Sequence, residues 1–121
     1  VEVEAFQWQW RFHYPESDVT VTQPNDTDIP ELVLPRGQTI EFDLTSPDVI
    51  HSFWVPGFLY KRDIIPGEVQ TMQVTVTGEP GIYPAACAEF CGLGHTNMRF
   101  TVRIVEPDEF TAWLSTSGSQ Q

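Results

Sequence analysis

The sequence predicts an all-β domain, an antiparallel sandwich or barrel with one short C-terminal helix. Three observations carry this. Apolar and polar residues alternate in short runs, the period-two pattern of half-buried strands. Proline and glycine clusters separate those runs. Helical spacing occurs in a single segment, near the C-terminus. At 121 residues the chain is one domain's worth. A chain of this size buries roughly two thirds of its unfolded surface, so it needs no disulfide staples.

In chain order, Val1, Val3 and Ala5 share one parity, whereas Phe6, Trp8, Trp10, Phe12 and Tyr14 share the other. The phase switch near Ala5-Phe6 predicts a β-bulge, or a strand that leaves one sheet for another. Val19 and Val21 alternate with threonines. After Pro24-Asn25-Asp26 and Pro35-Arg36-Gly37, Ile40, Phe42 and Leu44 alternate with Glu41 and Asp43. Pro56-Gly57 and Pro66-Gly67 are further turn signals. Met72, Val74 and Val76 form the next stripe, and Met72 reads as core. Gly78-Glu79-Pro80-Gly81 ends it, and Phe100, Val102 and Ile104 form the last. Pro107 to Leu114 reads as helix: proline suits the first turn, and Asp108 and Glu109 suit the positive end of the helix dipole. Phe110, Trp113 and Leu114 share its apolar side. Ser115 to Gln121 is small and polar and reads as frayed, which sets a domain at 1–115 and a flexible tail at 116–121.

Seventeen acidic residues against six basic ones give a formal charge of −11. That balance argues against nucleic acid as a partner. It suits a basic protein partner, or simply solubility. No run of about 20 apolar residues exists to span a bilayer, and no signal peptide is visible. Two cysteines are too few to assign a redox compartment. No Ser/His/acid set of interpretable spacing and no phosphate loop is present, so bond-breaking catalysis is not expected.

The chemistry concentrates in Cys87-Ala88-Glu89-Phe90-Cys91-Gly92-Leu93-Gly94-His95-Thr96-Asn97-Met98. Both cysteines, one of three histidines and one of two methionines fall there. Thiolate, imidazole and thioether form the donor set that redox-active copper prefers. Gly92 and Gly94 allow a tight curl of the backbone. His51, in Asp48-Val49-Ile50-His51-Ser52-Phe53-Trp54, supplies a second imidazole from a distant strand or loop. Two Cys, two His and one Met exceed the needs of one tetrahedral ion and suggest two ions sharing the thiolates. Other readings stay open at this level. The cysteines can form a disulfide, a single blue copper ion would leave Cys87 idle, and structural zinc would leave Met98 unexplained. His13, on the polar parity of its strand, reads as a surface histidine and not a ligand.

The cysteine loop, the stretch Asp48 to Pro56, Lys61-Arg62-Asp63-Ile64-Ile65-Pro66-Gly67 and the aromatic run Gln7-Trp8-Gln9-Trp10 together resemble the binuclear copper (CuA) domain of subunit II of haem-copper oxidases such as cytochrome c oxidase. The resemblance covers nearly the whole chain. It implies a cupredoxin-like Greek-key β-sandwich. It also implies that Cys87 and Cys91 bridge two copper ions, that His51 and His95 each bind one of them, and that Met98 and the backbone carbonyl of Glu89 are weak ligands. By the same resemblance, single electrons pass from a cytochrome c-type donor to the copper pair and on to haem in subunit I of a proton-pumping respiratory complex. The domain alone would then be an electron carrier on the extracytoplasmic face of the membrane. The family's membrane hairpin is not in this sequence, which therefore reads as a soluble fragment. In many family members the Glu89 carboxylate faces a magnesium site at the subunit interface, with Asp63 nearby; such a site is expected only in the full complex. Trp8 matches the tryptophan over the copper site where electrons arrive. Glu16, Asp18 and Asp48 are the expected docking acids for a basic cytochrome. The sequence departs from the common mitochondrial pattern at Pro84-Ala85-Ala86, Gly92-Leu93-Gly94 and Arg99 without losing a ligand. The same centre occurs in nitrous oxide reductase, where tryptophan commonly replaces Glu89. A copper-delivery protein is the other alternative, and would carry exposed, exchangeable ligands.

Overall fold

A computed structural model describes residues 1–6, 9–22, 29–48, 51–55, 60–87 and 99–119. Among these, ten strands form two five-stranded sheets, and one helix follows them. The strands are β1 (Glu2–Phe6), β2 (Gln9–Tyr14), β3 (Val19–Thr22), β4 (Glu31–Pro35), β5 (Thr39–Thr45), β6 (His51–Val55), β7 (Tyr60–Ile64), β8 (Gln70–Thr75), β9 (Gly81–Cys87) and β10 (Arg99–Val105), and the helix is α1 (Pro107–Ser119). The first sheet has the order β3-β2-β1-β5-β8 and the second β4-β10-β9-β6-β7. The chain passes repeatedly from one sheet to the other, so strands distant in sequence become neighbours, as in a Greek-key sandwich. Pairing is mostly antiparallel, but β1 runs parallel to β5 and β4 parallel to β10. The purely antiparallel expectation therefore fails at one junction in each sheet. Among the described residues no helix is long and apolar enough to cross a membrane.

The phase switch near Ala5 is a hairpin and not a bulge. Val3 lies opposite Phe12, and Ala5 opposite Trp10. Reversing the chain puts odd positions of β1 and even positions of β2 on one face, and all four residues are fully buried. The predicted stripe thus belongs to two strands. The Ile65-Pro66-Gly67-Glu68 turn follows the sequence signal, with Gly67 at φ 81° and the Glu68 N–H donating to the Ile65 carbonyl at 3.3 Å.

Aromatic rings from both sheets meet in the core. Phe100 of β10 lies 4.8 Å from Trp10, 5.3 Å from Phe12 and 5.4 Å from Phe53, centroid to centroid, and Phe53 lies 5.5 Å from Phe42. All five are buried. Offset and tilted contacts of this kind add roughly 1 kcal/mol each beyond the area they bury. Met72 is partly buried against the same cluster, as expected.

Tyr14 ties this core to the sheet edge and the helix. Its hydroxyl donates to the Val33 carbonyl at 2.9 Å and accepts from the Val33 N–H at 2.8 Å. Val33 sits on β4, an edge strand whose outer backbone groups need partners. Burial, the main cause, pushes the phenol well above its ordinary value of 10.0, so it stays neutral. Phe110 and Trp113 pack on the Tyr14 ring at 6.0 and 5.1 Å. The helix continues to Ser119, beyond the expected stop at Leu114. A helix already nucleated by docking extends at the gain of one hydrogen bond per added residue.

His13 is a partly exposed surface residue, and its ring bridges two carboxylates. Nδ1 lies 2.5 Å from Glu2 Oε1 and Nε2 lies 3.1 Å from Asp18 Oδ1. The bond to Glu2, then that to Asp18, raises its pKa above 6.5.

Two predictions follow from these contacts. Tyr14→Phe leaves both Val33 backbone groups without this partner and is expected to cost roughly 2 kcal/mol, read from the denaturant midpoint. His13 stabilises fully below its unfolded pKa of 6.5, and that contribution is lost as pH rises through the higher folded value. The stability difference between wild type and His13→Gln should therefore be larger near about pH 5 than near about pH 9; a constant difference would contradict the bridge.

Candidate metal centre

β6 alternates inward and outward. His51, Phe53 and Val55 are buried, whereas Trp54 is exposed. A fully buried imidazole demands a polar partner, and Asp48 provides one: Oδ1 lies 2.9 Å from His51 Nε2. The Ser46 hydroxyl donates to the same carboxylate oxygen at 3.2 Å, and the Asp48 N–H donates back to Ser46 Oγ at 3.4 Å. This local turn sets the carboxylate before β6 begins. With Nε2–H donating to a carboxylate, the neutral ring carries its lone pair on Nδ1, the atom that can bind a metal. Sequence reading singled out Asp48 for partner docking and missed this role. The three-residue spacing to His51 was the available signal.

Strand direction brings the rest of the site to the same end. β9 runs antiparallel to β6, with Cys87 opposite Phe53 and Ala86 opposite Trp54. The Cys87 backbone therefore sits one pleat from His51 on the neighbouring strand. β10 re-enters with Arg99 opposite Ala86. The 88–98 segment thus leaves and returns at the His51 end of the second sheet. Glu89, Cys91, His95 and Met98 lie outside the described residues, as does Trp8. The strand ends that flank Trp8 are described: Phe6 and Gln9 are opposite each other. β5 runs parallel to β1 and ends at Thr45, shortly before His51. The β1–β2 connection therefore lies at the His51 end of the sandwich.

Glu16 and Asp18 are not brought there. They follow Tyr14, at the opposite end of β2 from Gln9, and Asp18 is bonded to His13. Of the three expected docking acids only Asp48 lies near His51. Asp63, opposite Ser52 on β7, is exposed close to that end. Among the described residues no three His, Cys, Asp or Glu side chains converge as a metal site. The chemistry of the donor set fits copper: a buried imidazole oriented by a carboxylate, beside a strand that ends in a cysteine.

Comparison with known proteins agrees. The family model of the cytochrome c oxidase subunit II periplasmic domain matches residues 1–105. A probable cytochrome c oxidase subunit 2 of Mycobacterium leprae is 46% identical over 106 residues, covering 84% of this chain and 30% of its own. The chain thus spans about a third of that relative's length. The crystal structure of the periplasmic domain of cytochrome oxidase subunit II (CoxB) of Bradyrhizobium japonicum superimposes with a TM-score of 0.86 at 30% identity, covering 98% of this chain and 92% of that one. A second solved structure, a mixed disulfide intermediate between a thioredoxin-like protein and a CoxB domain, superimposes at 0.79 with 28% identity, covering 98% and 89%. The cupredoxin-like sandwich accords with these matches, and the chain belongs to the family of the periplasmic domain of subunit II of haem-copper cytochrome c oxidases.

Proposed function

We propose that this domain relays single electrons from a c-type cytochrome to haem in subunit I, through two copper ions held by His51, Cys87, Cys91 and His95, with Met98 and the Glu89 carbonyl as weaker ligands. The observation that carries the reading is His51: fully buried, held by Asp48, at the end of the sandwich where the cysteine loop is anchored. When bound, a copper pair supplies a one-electron redox centre with no open position for substrate. The protein's own contribution is rigidity and orientation. Asp48 fixes the ring and tautomer of His51, and the buried Phe53 and Phe100 hold β6 and β10 to the core. A scaffold that cannot rearrange keeps ligand geometry similar in both oxidation states, which favours fast electron transfer.

A buried, carboxylate-held imidazole argues against a copper-delivery protein, whose ligands must exchange. Family membership and Glu89 argue against nitrous oxide reductase. The related CoxB domain has been trapped in a mixed disulfide with a thioredoxin-like protein. By analogy, Cys87 and Cys91 form a disulfide in metal-free oxidised protein and must be reduced before loading. The extracytoplasmic location, contact with subunit I, and a magnesium ion near Glu89 in the assembled complex belong to the same proposal.

Copper-loaded protein should show a seven-line hyperfine pattern in low-temperature electron paramagnetic resonance, the signature of one electron shared by two copper nuclei. Cys91→Ser should abolish it, and Met98→Leu should chiefly shift the reduction potential. A four-line spectrum in the wild type would refute the shared centre. Asp48→Ala removes the partner of His51 and is expected to weaken copper binding by about 10–100-fold in chelator competition. Loading should also weaken in acid, because the ligands must be deprotonated thiolates and neutral imidazoles.

A further inference from the structure

At the end of the sandwich opposite His51, one histidine serves two carboxylates at once. His13 of β2 lies between Glu2 of β1, directly opposite it on the ladder, and Asp18 in the turn that joins β2 to β3. Nδ1 is 2.5 Å from Glu2 Oε1, and Nε2 is 3.1 Å from Asp18 Oδ1. A carboxylate accepts from the ring, so holding both needs two N–H groups, and only the imidazolium has two. The neutral ring keeps a single N–H and turns a lone pair toward the other carboxylate. Loss of one proton therefore breaks one contact.

The geometry decides which. Glu2 is the nearer partner, sits in the β1–β2 ladder, and has a side chain 57% exposed. Asp18 is farther away and its side chain is 94% exposed. Its backbone lies in the left-handed region at φ 52°, where a residue with a Cβ is strained more than glycine. The neutral ring keeps Glu2 and releases Asp18. Other charges near the ring do not replace that contact. Glu4 of β1 is engaged with Arg11 of β2, Asp43 of β5 accepts from the Thr71 hydroxyl, and the β3 residue opposite His13 is the uncharged Thr20.

The neighbours of the turn set what its release does. The Ser17 N–H donates to the Tyr14 carbonyl at 3.2 Å and the Asp18 N–H to the Pro15 carbonyl at 3.4 Å. Both bonds are at or beyond the long end of the usual range, and the His13–Asp18 contact adds a side-chain tie to them. Pro15, Glu16 and Ser17 of this turn line a cleft of about 360 Å³, together with Tyr14 and with Phe110 and Leu114 of α1.

We propose that His13 is a proton-operated latch: the imidazolium holds the β2–β3 turn in place, and the neutral ring lets it go, opening the cleft over Tyr14, Phe110 and Leu114. The proton passes to solvent and no other bond is exchanged. Glu2, and then Asp18, raise the ring's pKa above 6.5. The latch is therefore shut below that value and opens as pH rises through the higher folded one. It lies far from the proposed copper ligands and does not depend on the electron-relay reading.

The test follows the full chain by nuclear magnetic resonance from about pH 5 to about pH 9. The Ser17 and Asp18 amide signals and the Leu114 methyl signals should shift with the same midpoint as the His13 ring. Amide exchange at Ser17 and Asp18, corrected for base catalysis, should quicken about two- to fivefold across that midpoint, the range an exposed ion pair supports. His13→Gln should remove the step. Glu2→Gln leaves the neutral ring free to give its single N–H to Asp18, so the turn should stay held at both ends of the range while the ring still titrates. Asp18→Asn should abolish the response of the turn while His13 keeps titrating against Glu2. Turn signals that stay flat through the His13 midpoint in the wild type, or a Glu2→Gln chain whose turn still loosens in step with the ring, would overturn the latch. The Val1 ammonium lines the same cleft, donates to the Glu41 carbonyl at 2.7 Å and has its pKa lowered from 8.0 by burial. A step that survives His13→Gln belongs to this ammonium and overturns the latch as well.

Discussion

The inter-sheet aromatic cluster is the constraint on which the rest depends. Trp10, Phe12 and Phe42 from one sheet interlock with Phe53 and Phe100 from the other. Two of these rings lie next to the proposed ligands. Phe53 is two residues from His51 on β6 and faces Cys87 on the ladder, and Phe100 is two residues after Met98. Phe53 packs β6 and Phe100 packs β10 into the core, so the same cluster fixes both strands.

A buried histidine is costly unless it is hydrogen-bonded. The Ser46–Asp48–His51 arrangement meets that cost and selects which ring nitrogen a metal sees. The opposite end of the sandwich is held by different means. There the Tyr14 hydroxyl pairs with the β4 edge, α1 packs on its ring, and His13 joins Glu2 to Asp18. The two ends thus divide the work: one supports the redox site, and the other closes the fold.

Elements with one wet face were readable from the sequence. β3, β5, β8 and β10 follow their alternation, and α1 begins at Pro107 as its first-turn chemistry predicts. The elements that escaped had another pattern. Leu32, Val33 and Leu34 are all buried, so β4 shows no alternation. β9 contains Pro84, ordinarily a strand breaker; it is tolerated where the β6 pairing, seen at Cys87 and Ala86, has not yet begun. β6 and β7 are short, and β6 buries Ser52 along with its inward residues, which blurs the period. The β1–β2 hairpin looked like one strand because its parity switch is also what a bulge would produce.

The sequence by itself determined the chemical inventory: a sulfur, imidazole and thioether set within a glycine-bearing loop, a second histidine upstream, an all-β frame and a strongly acidic balance. These are local properties of residue type and spacing, legible without a fold. The tertiary structure alone decided which of them meet. The order and direction of the strands bring His51, Cys87 and the β1–β2 connection to one end of the sandwich and send Glu16 and Asp18 to the other. Pairing across four strands aligns Lys61, Trp54, Ala86 and Arg99, although they are spread over 46 positions of chain. The reason is physical: a ladder joins residues by register, and register is set by core packing over the whole sheet, not by any neighbouring stretch of sequence.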